Sequence, residues 1–151
     1  MKLTVREALQ LDEFKRASIV AGASGLDREI TCVDISETPD SSAWVRANEF
    51  LITTGYSIRE NLGEQLSLIE ALAKANAAGL AIKFGRYIGE IPESLITVAD
   101  SLDFPLISLP DDIPFIDLTY PLMQRIVNLQ AESLVYSEKV YKSLTKVALE
   151  S

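Results

Sequence analysis

The side chains able to do chemistry gather at a few places along the chain. Glu37 and Asp40 flank Pro39, and two carboxylates at that spacing suit acid–base catalysis, Mg2+ binding, or acceptance of N–H groups from a ligand. Thr53-Thr54-Gly55 closes an apolar run. Backbone N–H groups and hydroxyls at such a strand end suit a carboxylate, a phosphate or a heterocycle. Gly85-Arg86-Tyr87 ends another apolar run, and Arg86 offers a guanidinium to an anion.

Each of these has a plain structural reading as well. Thr53, Thr54 and Gly55 form an ordinary strand end with a glycine turn. Glu37 and Asp40 form a solvated acidic loop. Arg86 makes an internal ion pair with Glu37 or Glu49. Trp44 reads as a core or interface aromatic, Cys32 as a small buried hydrophobe, and Lys83 as a strand residue facing solvent.

Histidine is absent, which removes the usual general base and the commonest zinc ligand. No triad of the serine or cysteine hydrolase kind can be assembled within one chain. Nothing beside Glu37 and Asp40 supplies a nucleophile, and neither a Walker A loop nor a Gly-x-Gly-x-x-Gly fingerprint occurs. The expectation is a protein that is not an enzyme and uses no cofactor or metal.

Charge and composition narrow the class further. With 22 acidic and 14 basic residues in 151, the net charge is −8. A DNA-binding face needs clustered cations. The nearest approach is Lys139, Lys142 and Lys146, spread along one segment with Glu138, so direct nucleic-acid binding is not expected. The apolar runs are too short for a bilayer, the amino terminus does not read as a signal peptide, and the single cysteine forms no internal disulfide. A cytoplasmic setting follows.

The elements that must position these residues read as an α/β order. Thr4 to Glu7 matches a capping box opening a helix over 5–11. Strands are expected over 17–21, 30–35, 50–54, 80–84 and 106–109. Ser41 or Ser42 is placed to cap one helical turn carrying Trp44 and Val45. A helix over 59–78 carries Leu62, Leu66, Ile69, Leu72, Ala73 and Asn76 on one stripe, with Gly79 as its left-handed cap. Pro92 opens another helix with Leu95, Ile96, Ala99 and Leu102 inward. Alternating strands and helices imply one domain with a central mixed, partly parallel sheet flanked by helices.

From about residue 118 onward one long helix is expected, and its apolar positions recur heptad-like through Leu122, Ile126, Leu129, Ser133, Tyr136, Val140, Ser143 and Val147. So wide an apolar surface calls for a partner. The reading is a body over 1–117 and a dimerisation or linker helix over 118–151, giving a homodimer in a parallel or antiparallel pair. The uncapped helical pattern at Ser151 reads as a truncation or a hinge to something further on.

Several segments resemble the amino-terminal domain of the purine-catabolism-regulator-like (PucR-like) family of bacterial transcription regulators. They are Leu3-Thr4-Val5-Arg6-Glu7-Ala8-Leu9, Val20-Ala21-Gly22-Ala23-Ser24-Gly25-Leu26-Asp27-Arg28, Ile35-Ser36-Glu37-Thr38-Pro39-Asp40, Trp44 through Gly55, Gly85-Arg86-Tyr87, Ile91-Pro92, and Pro105 through Pro110 followed by Ile113-Pro114-Phe115. A looser similarity links residues 25–82 to the amino-terminal domains of Mur ligases and HPr kinase, without their nucleotide-binding parts. The resemblance implies a regulatory domain that senses a small metabolite, purine-derived or another nitrogen compound, in a protein whose DNA-binding part lies outside this chain. The ligand-binding candidates are Glu37, Asp40, Thr53, Thr54, Gly55 and Arg86. The alternative is an interaction and dimerisation module with no ligand of its own.

Overall fold

The computed structural model describes residues 2–38, 40 and 43–150. In chain order the elements are β1 (Leu3–Thr4), α1 (Val5–Ala8), β2 (Ser18–Ala21), β3 (Glu29–Ile30), β4 (Cys32–Ile35), β5 (Glu49–Thr53), α2 (Leu62–Lys74), β6 (Gly79–Ile82), α3 (Glu93–Ser101), β7 (Leu106–Ser108) and α4 (Ile116–Glu150). Five strands form a sheet in the order β2-β7-β6-β5-β4. β4, β5, β6 and β7 run parallel, and β2 closes the edge antiparallel to β7. The fold is therefore α/β with a mostly parallel mixed sheet.

Consecutive parallel strands joined by right-handed crossovers put their helices on one face. α2 and α3 accordingly cover Leu51, Leu80, Ile82 and Leu106. The other face carries Phe50, Ile52, Ala81 and Ile107, packed with Phe14, the β1–β3 ribbon and the first half of α4. Central strands covered on both faces read as continuous apolar runs. β5 and β6 are buried at every position.

Local chemistry moves several boundaries from their expected places. α1 is a single turn: Thr4 Oγ1 accepts from the Glu7 N–H, and its hydroxyl donates to the Glu7 carboxylate at 3.1 Å. The run 30–35 divides in two, because β3 pairs with β1 while β4 pairs with β5, and the Thr31 N–H goes to the Asn48 carbonyl. α2 is shorter than its periodicity suggests. Asn61 caps its start through the Glu64 N–H. Gln65 takes a buried place with its Nε2 donating to the Ile58 carbonyl, which leaves Leu62 exposed.

The left-handed residue after α2 is Asn76 (φ 60°), not Gly79. Gly79 is instead a buried residue of β6, where a Cβ would meet the Phe50 ring at 3.2 Å. α4 begins at Ile116 and passes through Pro121. So close to the helix start, the proline removes only one intrahelical bond. Ser41 and Ser42, the expected caps before Trp44, lie outside the described residues; Trp44 itself is 74% exposed, so it is no core aromatic. Cys32 is half-buried rather than a core residue, and burial, aided by nearby Glu49, raises its thiol pKa.

Candidate functional site

Parallel pairing brings four strand ends to one edge of the sheet. The register sets Ile35 beside Ile52, Thr53 beside Ile82, and Ile82 beside Ser108. The loops that follow carry Glu37, Thr54-Gly55-Tyr56, Lys83 through Tyr87, and Asp111. Crevices at the carboxyl ends of such strands are where α/β sheets hold ligands.

Glu37 sits on the end of β5. Its Oε1 accepts from Thr53 Oγ1 at 3.1 Å and from the Thr54 N–H at 2.6 Å, and its Oε2 accepts from the Thr54 hydroxyl. The donors expected to hold an anion therefore hold the chain's own carboxylate. Thr53 Oγ1 also accepts from the Gly55 N–H, and Thr54 Oγ1 from the Tyr56 N–H. Gly55 turns the chain at φ 83°, and a Cβ there would stand 3.0 Å from Ile88 Cδ1. Four of the residues singled out from sequence, Glu37, Thr53, Thr54 and Gly55, thus form one hydrogen-bonded group.

Arg86 pairs with Asp111 rather than with Glu37 or Glu49. Its Nη1 lies 3.0 and 3.2 Å from the two carboxylate oxygens. A hydrogen bond with Tyr87, then those with Asp111, raise the guanidinium pKa further. Asp40 bonds within its own loop. Thr38, its own backbone and Trp44 lower its carboxyl below the usual range. Asp40 and Glu37 therefore turn to different partners. Among the described residues no group of three His, Cys, Asp or Glu side chains is placed to hold a metal ion.

The same edge carries aromatic and cationic side chains to which the sequence reading gave no role. Tyr56 and Tyr87 meet edge to face, with ring centroids 4.9 Å apart. The Arg59 guanidinium lies 3.8 Å above the Tyr56 ring and donates to the Tyr56 carbonyl at 2.7 Å. Arg86 lies 5.3 Å from the Tyr87 ring. Both tyrosines are partly exposed. Their signal in the sequence was position, since each stands one or two residues beyond the glycine that ends a strand.

Lys83, expected in solvent, is buried. Its Nζ donates to the Asp111 carbonyl at 3.2 Å and lies 4.5 Å from the Phe115 ring. The residue follows β6, a strand covered on both faces, so no solvent side exists for it.

The opposite edge of the sheet explains the run from Gly22 to Arg28. Gly22 (φ 74°) and Gly25 press against the backbone that enters β7. A Cβ on either would stand within 2 Å of the Phe104 or Asp103 carbonyl oxygen. Arg28 donates to the carbonyls of Ala77, Leu102 and Asp103 and covers the Phe104 ring. This motif is a clamp on the amino-terminal edge, remote from the strand-end cluster.

α4 is the longest of the described elements. At 1.5 Å per residue its 35 residues span about 52 Å. Leu118, Leu122, Ile126 and Leu129 are buried on the body, whereas Tyr136, Val140, Leu144 and Val147 are exposed. Among the described residues no helix is long and apolar enough to cross a membrane.

Comparison with known proteins places these observations. The model of the purine catabolism regulatory protein-like family matches residues 7–126. The chain is 31% identical over 143 residues to the purine catabolism regulatory protein of Bacillus subtilis (strain 168), covering 95% of this chain and 27% of that protein. It is 24% identical over 143 residues to the transcriptional activator PmfR of Paenarthrobacter nicotinovorans, covering 95% of this chain and 30% of that protein. The chain thus spans less than a third of the length of either relative. With a matched segment that runs from α1 into the buried half of α4, the chain belongs to the purine catabolism regulatory protein-like family.

Proposed function

We propose that the chain is a metabolite-sensing, self-associating regulatory domain of a bacterial cytoplasmic transcription regulator, one that governs purine or related nitrogen-compound catabolism. The observation that carries this reading is the division of α4. One helix is anchored in the body beneath the sheet and presents an apolar stripe beyond it, so a change in the body has a rigid route to a second chain. The relatives support the regulatory part, one being named for purine catabolism and the other as a transcriptional activator. A net charge of −8 without clustered cations supports DNA contact by another part of the regulator rather than by this chain.

The sensing site is assigned to the carboxyl edge of the sheet. An effector carrying a carboxylate or ring carbonyls competes with Glu37 for the Thr54 N–H and the two threonine hydroxyls. The Tyr56–Tyr87 pair with Arg59 and Arg86 gives a planar ligand aromatic and cationic surfaces. Displacing Glu37 frees the connection between β4 and β5. A regulator needs two such states with different affinity for the ligand.

Thermal-shift and calorimetric screens with purines, ureides, amino acids and nucleotides test this. A ligand at 100 times its dissociation constant adds about 2.7 kcal/mol, or a rise of about 5–10 °C for a domain of this size. Thr54→Val and Arg86→Ala should abolish that rise while leaving the unliganded transition nearly unchanged. No binding or stabilisation at millimolar concentration would overturn the sensory assignment. The rival reading, a scaffold without ligand, draws on the internal partners already held by Glu37 and Arg86. In that case the two variants alter stability or nothing.

A further inference from the structure

On the sensory reading above, we propose that Lys83 supplies the charge of the sensing site. Its ammonium pairs with the carboxylate of a small monoanionic effector, held between Lys83 and Thr54.

Lys83 is a cation without a counter-ion. The residue is only 8% exposed. An ammonium carries three N–H donors. One goes to the Asp111 carbonyl at 3.2 Å, and the Phe115 ring lies 4.5 Å from Nζ. Among the described residues the ion pairs are Arg6–Asp27, Arg16–Asp112 and Arg86–Asp111, and none involves Lys83. Asp111 and Asp112, the acids at the carbonyl it binds, give their carboxylates to Arg86 and Arg16. Both arginines stand at the surface, where a pair contributes little. The buried cation, which needs a partner most, is the one left without an acid.

The strand register sets this cation beside groups that already hold a carboxylate. The Lys83 N–H donates to the Thr53 carbonyl, which continues the β5–β6 ladder by one residue and places Lys83 next to Thr54. Side chains alternate along a strand. Thr54 therefore falls on the face of Ile52, and Lys83 on that of Ala81, which is the face that α4 covers. Thr54 gives both its N–H and its hydroxyl to the Glu37 carboxylate. Carboxylate-holding donors and an unpaired ammonium thus stand on neighbouring strand ends, on one face.

Charge sets the ligand class. One ammonium beside neutral N–H and O–H donors balances one negative charge. Arg16 and Arg86, which a dianion would call on, already hold aspartates. A net charge of −8 disfavours polyanions further. The effector is a small carboxylate rather than a phosphate or a nucleotide.

Sodium acetate is the probe, exchanged for sodium chloride at constant ionic strength so that screening does not change. The thermal transition of the whole chain should rise saturably at concentrations on the order of tens of millimolar. Acetamide, neutral and of the same shape, should leave it unmoved, and inorganic phosphate should bind more weakly than acetate. Lys83→Met should weaken acetate binding about 10–100-fold, the range for a hydrogen bond to a charged group. The 13Cε resonance of Lys83 in the unsubstituted chain should shift with the same dissociation constant, a reading that does not depend on the variant folding. No acetate effect on the unsubstituted chain, or an equal effect on Lys83→Met, overturns the role of Lys83. Tighter binding of phosphate overturns the carboxylate class. A neutral compound from the screen above that stabilises the unsubstituted chain and Lys83→Met alike overturns the pairing and leaves the sensory reading standing. A chain that binds neither acetate nor any compound of that screen overturns both.

Discussion

Replacing Arg28 with alanine should cost about 3 kcal/mol of stability without touching the response to effector. The guanidinium makes three bonds, to the carbonyls of Ala77 at 3.1 Å, Leu102 at 3.2 Å and Asp103 at 3.0 Å. Ala77 is fully buried. Its carbonyl left unpaired costs about 1–3 kcal/mol. The other two carbonyls reach water and contribute about 0.5–1 kcal/mol each. They also end α3, where a cation faces the negative end of the helix dipole. Covering the Phe104 ring at 5.5 Å adds about 0.5 kcal/mol. These contributions share one side chain and do not add fully. Urea unfolding followed by circular dichroism should show a lower midpoint with an unchanged slope. The melting temperature should fall by about 6–12 °C. Arg28→Lys, able to reach one carbonyl, should recover only part of the loss. A loss below about 0.5 kcal/mol, typical of any surface change, would refute the clamp. So would an unchanged melt combined with a lost effector response, which would move the binding site to this edge.

Three further outcomes follow from single side chains. Gly22→Ala places a Cβ 1.9 Å from the Phe104 carbonyl oxygen at a φ of 74°, and should cost about 3 kcal/mol or more in the same unfolding assay. Burial first, then neighbouring Asp34, raises the Glu49 carboxyl above its usual range, against the hydrogen bond from the Arg46 N–H. The folded state therefore holds this proton more tightly than the unfolded one, and stability from this group is lost as pH rises from the ordinary glutamate value through the raised one. Glu49→Gln should flatten that part of the pH–stability profile and be the more stable protein at neutral pH. Val140→Glu with Leu144→Glu should abolish self-association while leaving the thermal transition of the body in place, as read by light scattering and calorimetry on one sample.

The outline of the fold was legible because its signals are local. Strand runs such as 50–53, the proline before α3, and the unbroken pattern from 122 onward each follow from short-range periodicity and turn chemistry. The misplacements came from tertiary contacts. Gly79 reads as a helix cap by its neighbours, yet the Phe50 ring and the entry to β7 demand a residue without a side chain there, so Asn76 takes the left-handed turn. Lys83 reads as a surface residue until Phe115 and the Asp111 carbonyl close over it. At the candidate site, the sequence order placed Glu37, Thr53, Thr54 and Gly55 at strand ends, and parallel pairing joined them. The Arg86–Asp111 partnership spans 25 residues. No local pattern distinguishes it from the pairing with Glu37 or Glu49 that charge alone suggested.

The mass of the chain in solution tests the role proposed for α4 most directly. Light scattering at concentrations on the order of tens of micromolar should give twice the 16.6 kDa of one chain. A version ending at Gln130 keeps the buried stripe through Leu129 and loses the exposed one, so it should give a single folded copy. A single-chain mass for residues 1–151, or a dimer that survives the truncation, would contradict the role assigned to α4.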